Sequence, residues 1–159
     1  MSYRVGFGYD IHKLVKGRPL MLGGVKILCA KGLLGHSDAD VLLHAISDAI
    51  LGAAGLDDIG KFFPDTDPKY KGISSLKLLR KTGELVESEG YRVINIDSTL
   101  VAEEPKIAPF KKAMIRKISA SLGIKEADVS IKATTNEGMG DTGKKKAIAA
   151  YAVALLENK

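Results

Sequence analysis

The amino-acid sequence predicts a single α+β domain. Two segments, 39–54 and 74–89, carry apolar residues at helical spacing, and a third, 91–101, alternates between apolar and polar residues as a half-buried strand does. No repeat, linker or low-complexity stretch divides the 159 residues. We therefore expect residues 1–159 to fold as one domain.

The chain is expected to begin with a strand and a hairpin. Residues 3–9 are typical of a short strand that leads into Asp10, and residues 18–27 are typical of a hairpin with glycine turn signals. A Gly-x-Gly pair precedes Asp10, but the third glycine and the following helix of a dinucleotide-binding fingerprint are missing. The pair is instead expected to let another backbone approach closely.

The first helix is expected over 39–54. Its apolar residues at helical spacing are Val41, Leu42, Ala45, Ile46, Ala49 and Ile50. Ser37 or Asp38 is expected to cap this helix, and Gly55 to end it. Residues 57–72 follow as a polar loop interrupted by glycine and proline, and loops of this length are usually functional or mobile.

Two further helices and a strand are expected next. The helix over 74–89 turns three apolar side chains inward, which are Leu76, Leu79 and Val86. The strand over 91–101 follows, and Pro105 and Gly123 then bracket a third helix over 106–122.

The C-terminal region is expected to hold a strand over 128–135 and one element of ambiguous type. The stretch AIAAYAVALLE favours a helix by the propensity of its alanines. Its length after a glycine- and lysine-rich turn also permits a strand buried on both faces. Both interpretations stand at this point.

Composition restricts the functional class. Hydrophobic residues make up 45% and charged residues 27% of the chain, which is typical of a soluble globular protein. The net charge of +5 suits anionic partners, but the basic residues are dispersed, so we expect neither nucleic-acid nor membrane binding. A single cysteine, Cys29, excludes an internal disulfide and is expected to be a small core side chain. No signal peptide is recognisable, and a cytoplasmic location is expected.

All three histidines lie close together in the sequence and next to aspartates. Asp10 and His12 are two residues apart, so in an extended segment both point to the same side. With His44 from the first helix they would form three ligands with a fourth position open, which is typical of a catalytic divalent-metal site, most naturally zinc. Asp40 and Asp48 lie on the His44 face of the helix and are expected to accept hydrogen bonds from imidazole N–H groups.

The alternative for each histidine is structural. A single Asp-x-His pattern is weak, His44 can be an ordinary hydrogen-bonded helix residue, and His36 can belong to a helix cap. The confinement of all histidines to one region favours the metal interpretation without settling it.

Residues 132–144 form a second region of interest. A strand end runs there into a loop rich in glycine and hydroxyl groups, whose backbone N–H groups can hold phosphate oxygens. Glu137 can add a carboxylate to a hard cation such as Mg²⁺. An ordinary solvent loop is the alternative, and the absence of a Gly-x-x-x-x-Gly-Lys-Ser/Thr pattern excludes a P-loop nucleotidase.

Four motifs together resemble the 2-C-methyl-D-erythritol 2,4-cyclodiphosphate synthase family. They are GFGYDIH at 6–12, HSDADVLLH at 36–44, DIGKFFPDTD at 58–67 and KATTNE at 132–137. The resemblance extends from residue 4 to residue 156. It implies a four-stranded mixed sheet with helices on one face, with the C-terminal stretch as a strand. It also implies a homotrimer around a central axis, with active sites at the subunit interfaces.

The resemblance also implies the roles of individual residues. Zinc, or manganese, is expected on Asp10, His12 and His44, and magnesium or manganese on Glu137 together with the substrate's phosphates. His36 and Thr135 match positions of transition-state stabilisation. The expected methylerythritol phosphate contacts are His36, Ser37, Asp58, Ile59, Gly60, Phe63, Pro64, Asp65, Thr66 and Asp67. Asp10, Ile11 and His12 are expected to contact the substrate as well. The expected contacts on the cytidine and diphosphate side, from the neighbouring subunit, are Ala102, Pro105, Lys106, Ile107, Ala108, Ala133, Thr134 and Thr135. Further expected substrate contacts are Asn136, Glu137, Asp141 and Lys144.

The implied reaction is an intramolecular phosphoryl transfer of the non-mevalonate isoprenoid pathway. The 2-phosphate of 4-diphosphocytidyl-2-C-methyl-D-erythritol 2-phosphate attacks the β-phosphorus, CMP leaves, and a cyclic diphosphate forms. Divalent cations would offset the repulsion between the two phosphates. Two alternatives remain, namely a divalent-metal phosphohydrolase that uses the same Asp/His site and a trimeric binding module with a structural metal.

The loop after residue 140 departs from the family pattern. Asp141 replaces an aromatic residue, Lys144 an arginine, and Lys146 a glutamate. In relatives the arginine and glutamate line an axial cavity that can hold isoprenoid diphosphates. The lysines are expected to make that cavity more positive. Either binding of an isoprenoid diphosphate or another anion is retained there in altered form, or the lysines repel one another and the cavity differs. The expected location is the cytoplasm, or the plastid stroma if a transit peptide was removed.

Overall fold

The computed structural model describes residues 2–159, which form a mixed sheet covered by helices on one face. The strands are β1 (Tyr3–Lys16), β2 (Leu20–Leu22), β3 (Val25–Ile27), β4 (Lys31–Leu33), β5 (Tyr91–Val101), β6 (Val129–Thr134) and β7 (Ala147–Asn158). The helices are α1 (Val41–Ala54), α2 (Ile59–Phe62), α3 (Ser75–Ser88), α4 (Lys111–Leu122) and α5 (Gly140–Gly143). Short 3₁₀ turns occupy Pro68–Tyr70, Ala108–Phe110 and Glu126–Asp128.

The main sheet has five strands in the order β4-β1-β7-β5-β6, rather than the four that were expected. Only β5 and β6 are parallel, and the other neighbours in this sheet are antiparallel. The additional strand is β4, which pairs with the end of β1 because β1 runs beyond His12 as far as Lys16. The predicted hairpin is confirmed as the separate pair β2-β3.

The C-terminal stretch is a strand and lies at the centre of the sheet. β7 pairs with β1 on one side and with β5 on the other, so its backbone groups are satisfied along both edges. Tertiary pairing therefore outweighs the helix propensity of its alanines. Ala150, Ala152 and Ala154 are buried on the helix side of the sheet, where their small side chains leave room for α1.

The termini of α1 are set by two residues. Asp40, and not Ser37 or Asp38, is the N-cap, and its side chain accepts a hydrogen bond from the Leu43 N–H. Gly55 ends the helix in the left-handed conformation, as predicted.

Two other expectations are corrected. The segment 57–72 is not a continuous loop, since it contains α2 and a 3₁₀ turn. The third helix, α4, begins at Lys111 instead of 106, and Pro105 precedes it in a cis peptide bond. Gly123 ends α4 as predicted.

The other face of the sheet carries a row of exposed apolar side chains. Val5, Phe7 and Tyr9 from β1 are joined by Tyr151 and Val153 from β7, and each is more than two-fifths exposed. Cys29 packs against the main core while partly buried. None of the helices in residues 2–159 has both the length and the apolar character needed to span a bilayer.

Candidate active site

Three side chains converge where β1 meets α1. The Asp10 Oδ2 atom lies 2.9 Å from His12 Nε2 and 3.0 Å from His44 Nδ1. The two ring nitrogens are 3.2 Å apart. The structure thus brings together the three residues that the sequence predicted as metal ligands.

Two glycines in β1 allow this convergence. Gly6, Gly8, Asp10 and His12 alternate along the strand and face α1. A Cβ at Gly8 would lie 1.9 Å from the carbonyl oxygen of Ala45, and a Cβ at Gly6 would meet the backbone of α1 equally closely. The Gly-x-Gly pair therefore serves the close backbone approach that was predicted for it.

Hydrogen bonds from outside the group orient both imidazoles. His12 Nδ1 lies 2.8 Å from the carbonyl oxygen of Leu34, which can only accept, so this nitrogen carries the proton. The Nε2 atom of neutral His12 then points its lone pair towards Asp10. His44 Nε2 lies within 3.2 Å of the Ser37 and Ser75 hydroxyls, which leaves His44 Nδ1 facing the same point.

The arrangement fits a divalent cation. A carboxylate oxygen and two imidazole nitrogens are a donor set that suits zinc or manganese. Ligand atoms around tetrahedral zinc, with bonds of about 2.0–2.1 Å, are separated by roughly 3.3 Å. The separations of 2.9 to 3.2 Å in this group are close to that value. Three ligands leave a fourth position for a bound molecule.

The electrostatics of the group favour a negatively charged Asp10 beside a positively charged His12. Burial alone would raise the pKa of Asp10, but hydrogen bonds and attraction from His12 and His44 outweigh it and hold that pKa well below its usual range. Burial alone would lower the pKa of His12, but its contacts with Asp10 outweigh this and raise it. Protons therefore compete with a cation for this position.

Asp40 and Asp48 do not orient the histidines, contrary to prediction. The Asp40 carboxylate accepts the backbone N–H groups of Gly23 and Gly24, at 3.0 and 2.7 Å, besides capping α1. The Asp48 carboxylate accepts the Ile59 N–H at 2.8 Å. Buried backbone donors in the neighbouring turns take up these oxygens, which the helical spacing alone does not reveal.

Ser75 and the Leu34 carbonyl are the partners that prediction missed. Ser75 is buried at the start of α3, and its hydroxyl is 3.1 Å from His44 Nε2. Serines are common at helix starts, and a backbone carbonyl leaves no trace in the side-chain pattern. No sequence signal therefore distinguished these groups.

Among the predicted methylerythritol phosphate residues, Ser37 contacts this group directly, with its hydroxyl 3.2 Å from His44 Nε2. His36 Nε2 is 3.4 Å from the Asp67 carbonyl oxygen, which brings segments 36–37 and 65–67 together. Asp58 caps the short helix α2 through the Lys61 N–H. The remaining members on α2 and the loop after it are Ile59, Gly60, Pro64 and Thr66.

Phe63 is an exception among these residues. Its ring is buried and packs edge-to-face on Tyr70, at 5.5 Å between centroids, and Leu78 belongs to the same small cluster. The side chain of Phe63 therefore stabilises the segment, and the residue also lines an open cavity together with Phe62 and Tyr70.

The predicted cytidine and diphosphate residues form a second group at the ends of β5 and β6. These strands are parallel, so the segments that follow them, 102–108 and 135–137, emerge at the same edge of the sheet. The Asn136 N–H donates to Glu103 Oε1 at 2.8 Å, and the Thr135 hydroxyl lies 3.4 Å from Glu137 Oε1. Thr135 and Glu137 are exposed.

One chain does not bring the two groups together. Asp10 is in register with Ala150, Ala150 with Leu100, and Leu100 with Ala133. Three strand spacings of about 4.8 Å place the second group roughly 14 Å from Asp10. Thr135 thus stands apart from His36 within the chain, and Glu137 stands apart from the Asp/His/His group.

The loop that departs from the family pattern is ordered around Asn136. Its side-chain amide donates to the Met139 carbonyl and the Thr142 hydroxyl, both at 2.9 Å. Lys145 forms an ion pair with Glu104 at 2.5 Å. Asp141 and Lys144 are exposed near this turn.

Comparison with known proteins identifies similar chains. The YgbB family matches residues 3–157. A protein from Desulfatibacillum aliphaticivorans, named 2-C-methyl-D-erythritol 2,4-cyclodiphosphate synthase, is 59% identical over 97% of this chain and 99% of its own length.

Solved structures agree with this match. The bifunctional IspDF from Campylobacter jejuni superposes with a TM-score of 0.95 at 42% identity, covering 99% of this chain and 43% of that one. IspF from Plasmodium falciparum, solved as a CDP complex, gives a TM-score of 0.86 at 40% identity, covering 99% of this chain and 97% of that one.

Proposed function

The chain belongs to the YgbB family, and from this premise we propose that it converts 4-diphosphocytidyl-2-C-methyl-D-erythritol 2-phosphate to 2-C-methyl-D-erythritol 2,4-cyclodiphosphate with release of CMP. It is a phosphorus–oxygen lyase of the non-mevalonate isoprenoid pathway, and residues 1–159 form its single catalytic domain. The observation that carries the proposal is the convergence of Asp10, His12 and His44 in a chain of this family. The CDP complex of the Plasmodium falciparum relative supports a cytidine-containing substrate.

Two cations belong to the proposed site. Asp10, His12 and His44 would hold zinc or manganese, and Glu137 would contact magnesium or manganese that also binds the substrate's phosphates. When bound, the cations supply Lewis-acid polarisation and neutralise the repulsion between the two phosphate groups.

The protein's own residues position the reacting groups. Segments 36–37 and 65–67 bind the methylerythritol phosphate portion, and the Thr135 hydroxyl and adjacent N–H groups donate to the diphosphate. An oxygen of the 2-phosphate forms a bond to the β-phosphorus, and the bond from that phosphorus to the CMP oxygen breaks. Positioning and charge stabilisation suffice for such a transfer, so no side-chain nucleophile is required. His36 and Thr135 are the residues assigned to stabilise the transition state.

A homotrimer completes the site. The two groups of site residues are too far apart within one chain to contact the same diphosphate. The exposed apolar row on β1 and β7 offers a surface that a second copy can cover. We therefore place each active site between subunits, with the 102–108 and 133–137 segments supplied by the neighbour.

Two further assignments concern an anion site and the location of the protein. Lys144 and Lys146 are exposed, and their charge supports an isoprenoid diphosphate or other anion near the trimer axis. The single cysteine and the bacterial relatives support a cytoplasmic location.

Phosphorus NMR tests the function directly. The protein is incubated with the substrate, Zn²⁺ and Mg²⁺, with and without a chelator. The proposal predicts two coupled cyclic diphosphate resonances and CMP, both absent with the chelator. Release of inorganic phosphate instead would favour a phosphohydrolase, and unchanged substrate would contradict both activities.

A variant of Asp10 tests whether the reaction depends on the Asp/His/His group. Asp10→Asn is expected to abolish turnover while sedimentation still reports the wild-type assembly, because Asp10 contacts both histidines and not the exposed sheet face. Full activity in this variant would refute the metal assignment.

A further inference from the structure

A buried serine links the proposed metal site to a carboxylate outside it. Ser75, the first residue of α3, places its hydroxyl 3.1 Å from His44 Nε2. The same hydroxyl is in short hydrogen-bond contact with Asp38 Oδ1. Asp38 Oδ2 also accepts the backbone N–H of Ser75 at 3.0 Å.

The direction of these hydrogen bonds follows from the groups involved. An ionised carboxylate only accepts, so the Ser75 hydroxyl donates its one proton to Asp38. Towards His44 the Ser75 oxygen can then only accept, which requires the proton of the imidazole to be on Nε2. His44 Nδ1 is left with its lone pair directed at Asp10 and His12.

We propose that Asp38 and Ser75 are positioning residues that hold His44 in its Nε2–H tautomer and so set the metal affinity of the site. The inference rests on the proposed function, since it concerns the same Asp/His/His group. Hydrogen bonds of this kind to metal-ligating histidines typically change metal affinity by about 10- to 100-fold.

Ser37 differs from Ser75 in one respect. Its hydroxyl is also near His44 Nε2, at 3.2 Å, but it accepts the Ala39 N–H and, within residues 2–159, forms no hydrogen bond with a carboxylate. The Ser37 hydroxyl can therefore either donate to the imidazole or accept from it. Only Ser75 fixes the direction of the hydrogen bond with His44, because the Ser75 hydroxyl donates its one proton to Asp38.

The surrounding backbone keeps Asp38 and Ser75 together. The Asp38 N–H donates to the Ile73 carbonyl at 3.0 Å, and the Gly72 N–H donates to the His36 carbonyl at 2.8 Å. Ser74, the N-cap of α3, makes no side-chain capping bond. Asp38, from the neighbouring segment, instead accepts a hydrogen bond from a backbone N–H at the start of α3. The carboxylate is thus fixed to the helix start by backbone contacts that do not involve the metal ligands.

Zinc affinity, measured by competition with a chromophoric chelator, tests the inference without turnover. Ser75→Ala is expected to weaken zinc binding by about 10- to 100-fold. Ser37→Ala is expected to weaken it less. Ser119→Ala is the matched control, because Ser119 is a buried serine on α4 that bonds only within its own helix, and it is expected to bind zinc like the wild type.

A spectroscopic measurement on the wild type does not depend on any variant folding. In the zinc-loaded protein with ¹⁵N-labelled histidine, His44 is expected to show a slowly exchanging Nε2 proton. Ser75→Ala is expected to speed the exchange of that proton. Asp38→Asn is expected to weaken zinc binding as well, since a carboxamide can donate to Ser75 and reverse the direction of its hydroxyl.

The outcomes separate the two proposals. If the wild type binds no zinc, the proposed function fails. If the wild type binds zinc but Ser75→Ala binds within twofold of it, or if Ser37→Ala has the larger effect, the positioning role is overturned alone. Rapid exchange of the His44 N–H in the wild type would also overturn it.

Discussion

Replacement of Gly8 by alanine tests how the fold creates the site. A Cβ at this position would lie 1.9 Å from the Ala45 carbonyl oxygen and 2.8 Å from the Ala49 nitrogen. Both atoms belong to the backbone of α1, so no side-chain rotation relieves the contact. Either α1 or β1 must move.

The required movement sets the expected magnitude. Restoring an ordinary contact at Ala45 needs a shift of about 1 Å or more in a densely packed interior. We expect a loss in the free energy of unfolding of about 3 kcal/mol, at the upper end of typical overpacking effects. His44 immediately precedes Ala45 and moves with it, whereas metal–ligand distances tolerate only about ±0.2 Å. Zinc affinity is therefore expected to fall by more than about 100-fold, beyond the effect of losing one hydrogen bond to a ligand.

Gly52→Ala is the matched control on the same helix. Among residues 2–159, an added Cβ there meets no atom within 4 Å apart from the adjacent residues and the nearby backbone of α1 itself, and Gly52 is exposed. Alanine is expected to stabilise this helix position by about 0.5–1 kcal/mol and to leave zinc affinity unchanged.

Urea unfolding followed by far-UV circular dichroism gives the stability of each variant, and chelator competition below the unfolding transition gives its zinc affinity. The reasoning would be refuted if Gly8→Ala unfolded at the wild-type urea concentration and bound zinc within twofold of the wild type. A shift of Gly52→Ala equal to that of Gly8→Ala would refute it as well.

Four further predictions concern the pH response, a helix cap and the assembly. Zinc affinity is expected to fall about tenfold per pH unit below the raised pKa of His12, because zinc binding must displace one proton from this imidazole. Zinc titrations from pH 5 to 8 that gave the same affinity throughout would contradict this. In the metal-free protein the folded-state pKa of His12 exceeds its unfolded value. The contribution of His12 to stability is therefore complete below about pH 6.5 and is lost as the pH rises through the folded-state pKa. Urea unfolding midpoints measured from pH 5 to 8 would show this loss. Asp40→Ala removes the acceptor of three backbone N–H groups and is expected to cost about 3 kcal/mol in urea unfolding, and a loss below about 1 kcal/mol would be too small for this account. Phe7→Asp places a charge in the exposed apolar row. If the proposed trimer forms through this row, the variant is expected to dissociate in sedimentation experiments with an unchanged circular dichroism spectrum, whereas an intact assembly would place the interface elsewhere.

Local patterns predicted the regular elements well. The strand over 91–101 was predicted with its observed bounds, and the end of α1 at Gly55 followed from the conformational freedom of glycine. Strand β4 was missed because three residues, Lys31–Leu33, carry no periodicity. The type of the C-terminal stretch was left open by its residues, because pairing with β1 and β5 decides it, and those strands are distant in the sequence.

The candidate site, like the fold, could be predicted from the sequence only in part. Asp10, His12 and His44 were predicted because strand alternation and residue chemistry suffice to group them. The environment of His44 was not predictable, since Ser75 is 31 residues away and meets it only through tertiary packing. Asp40 has the correct helical spacing for a contact with His44, but the buried N–H groups of the hairpin turn take its oxygens.

The position of β7 has a consequence for how the chain is made. Tyr3 pairs with Glu157, and Tyr91 pairs with Asn158, so the strand that joins the two halves of the sheet is synthesised after both of its partners. β1 and β5 are not neighbours, and neither gains its central partner until β7 has been synthesised. Contacts of such long sequence separation slow folding, and the unpaired strand edges are open to association with other chains in the meantime. The nascent polypeptide therefore depends on protection from aggregation until β7, Ala147–Asn158, has emerged.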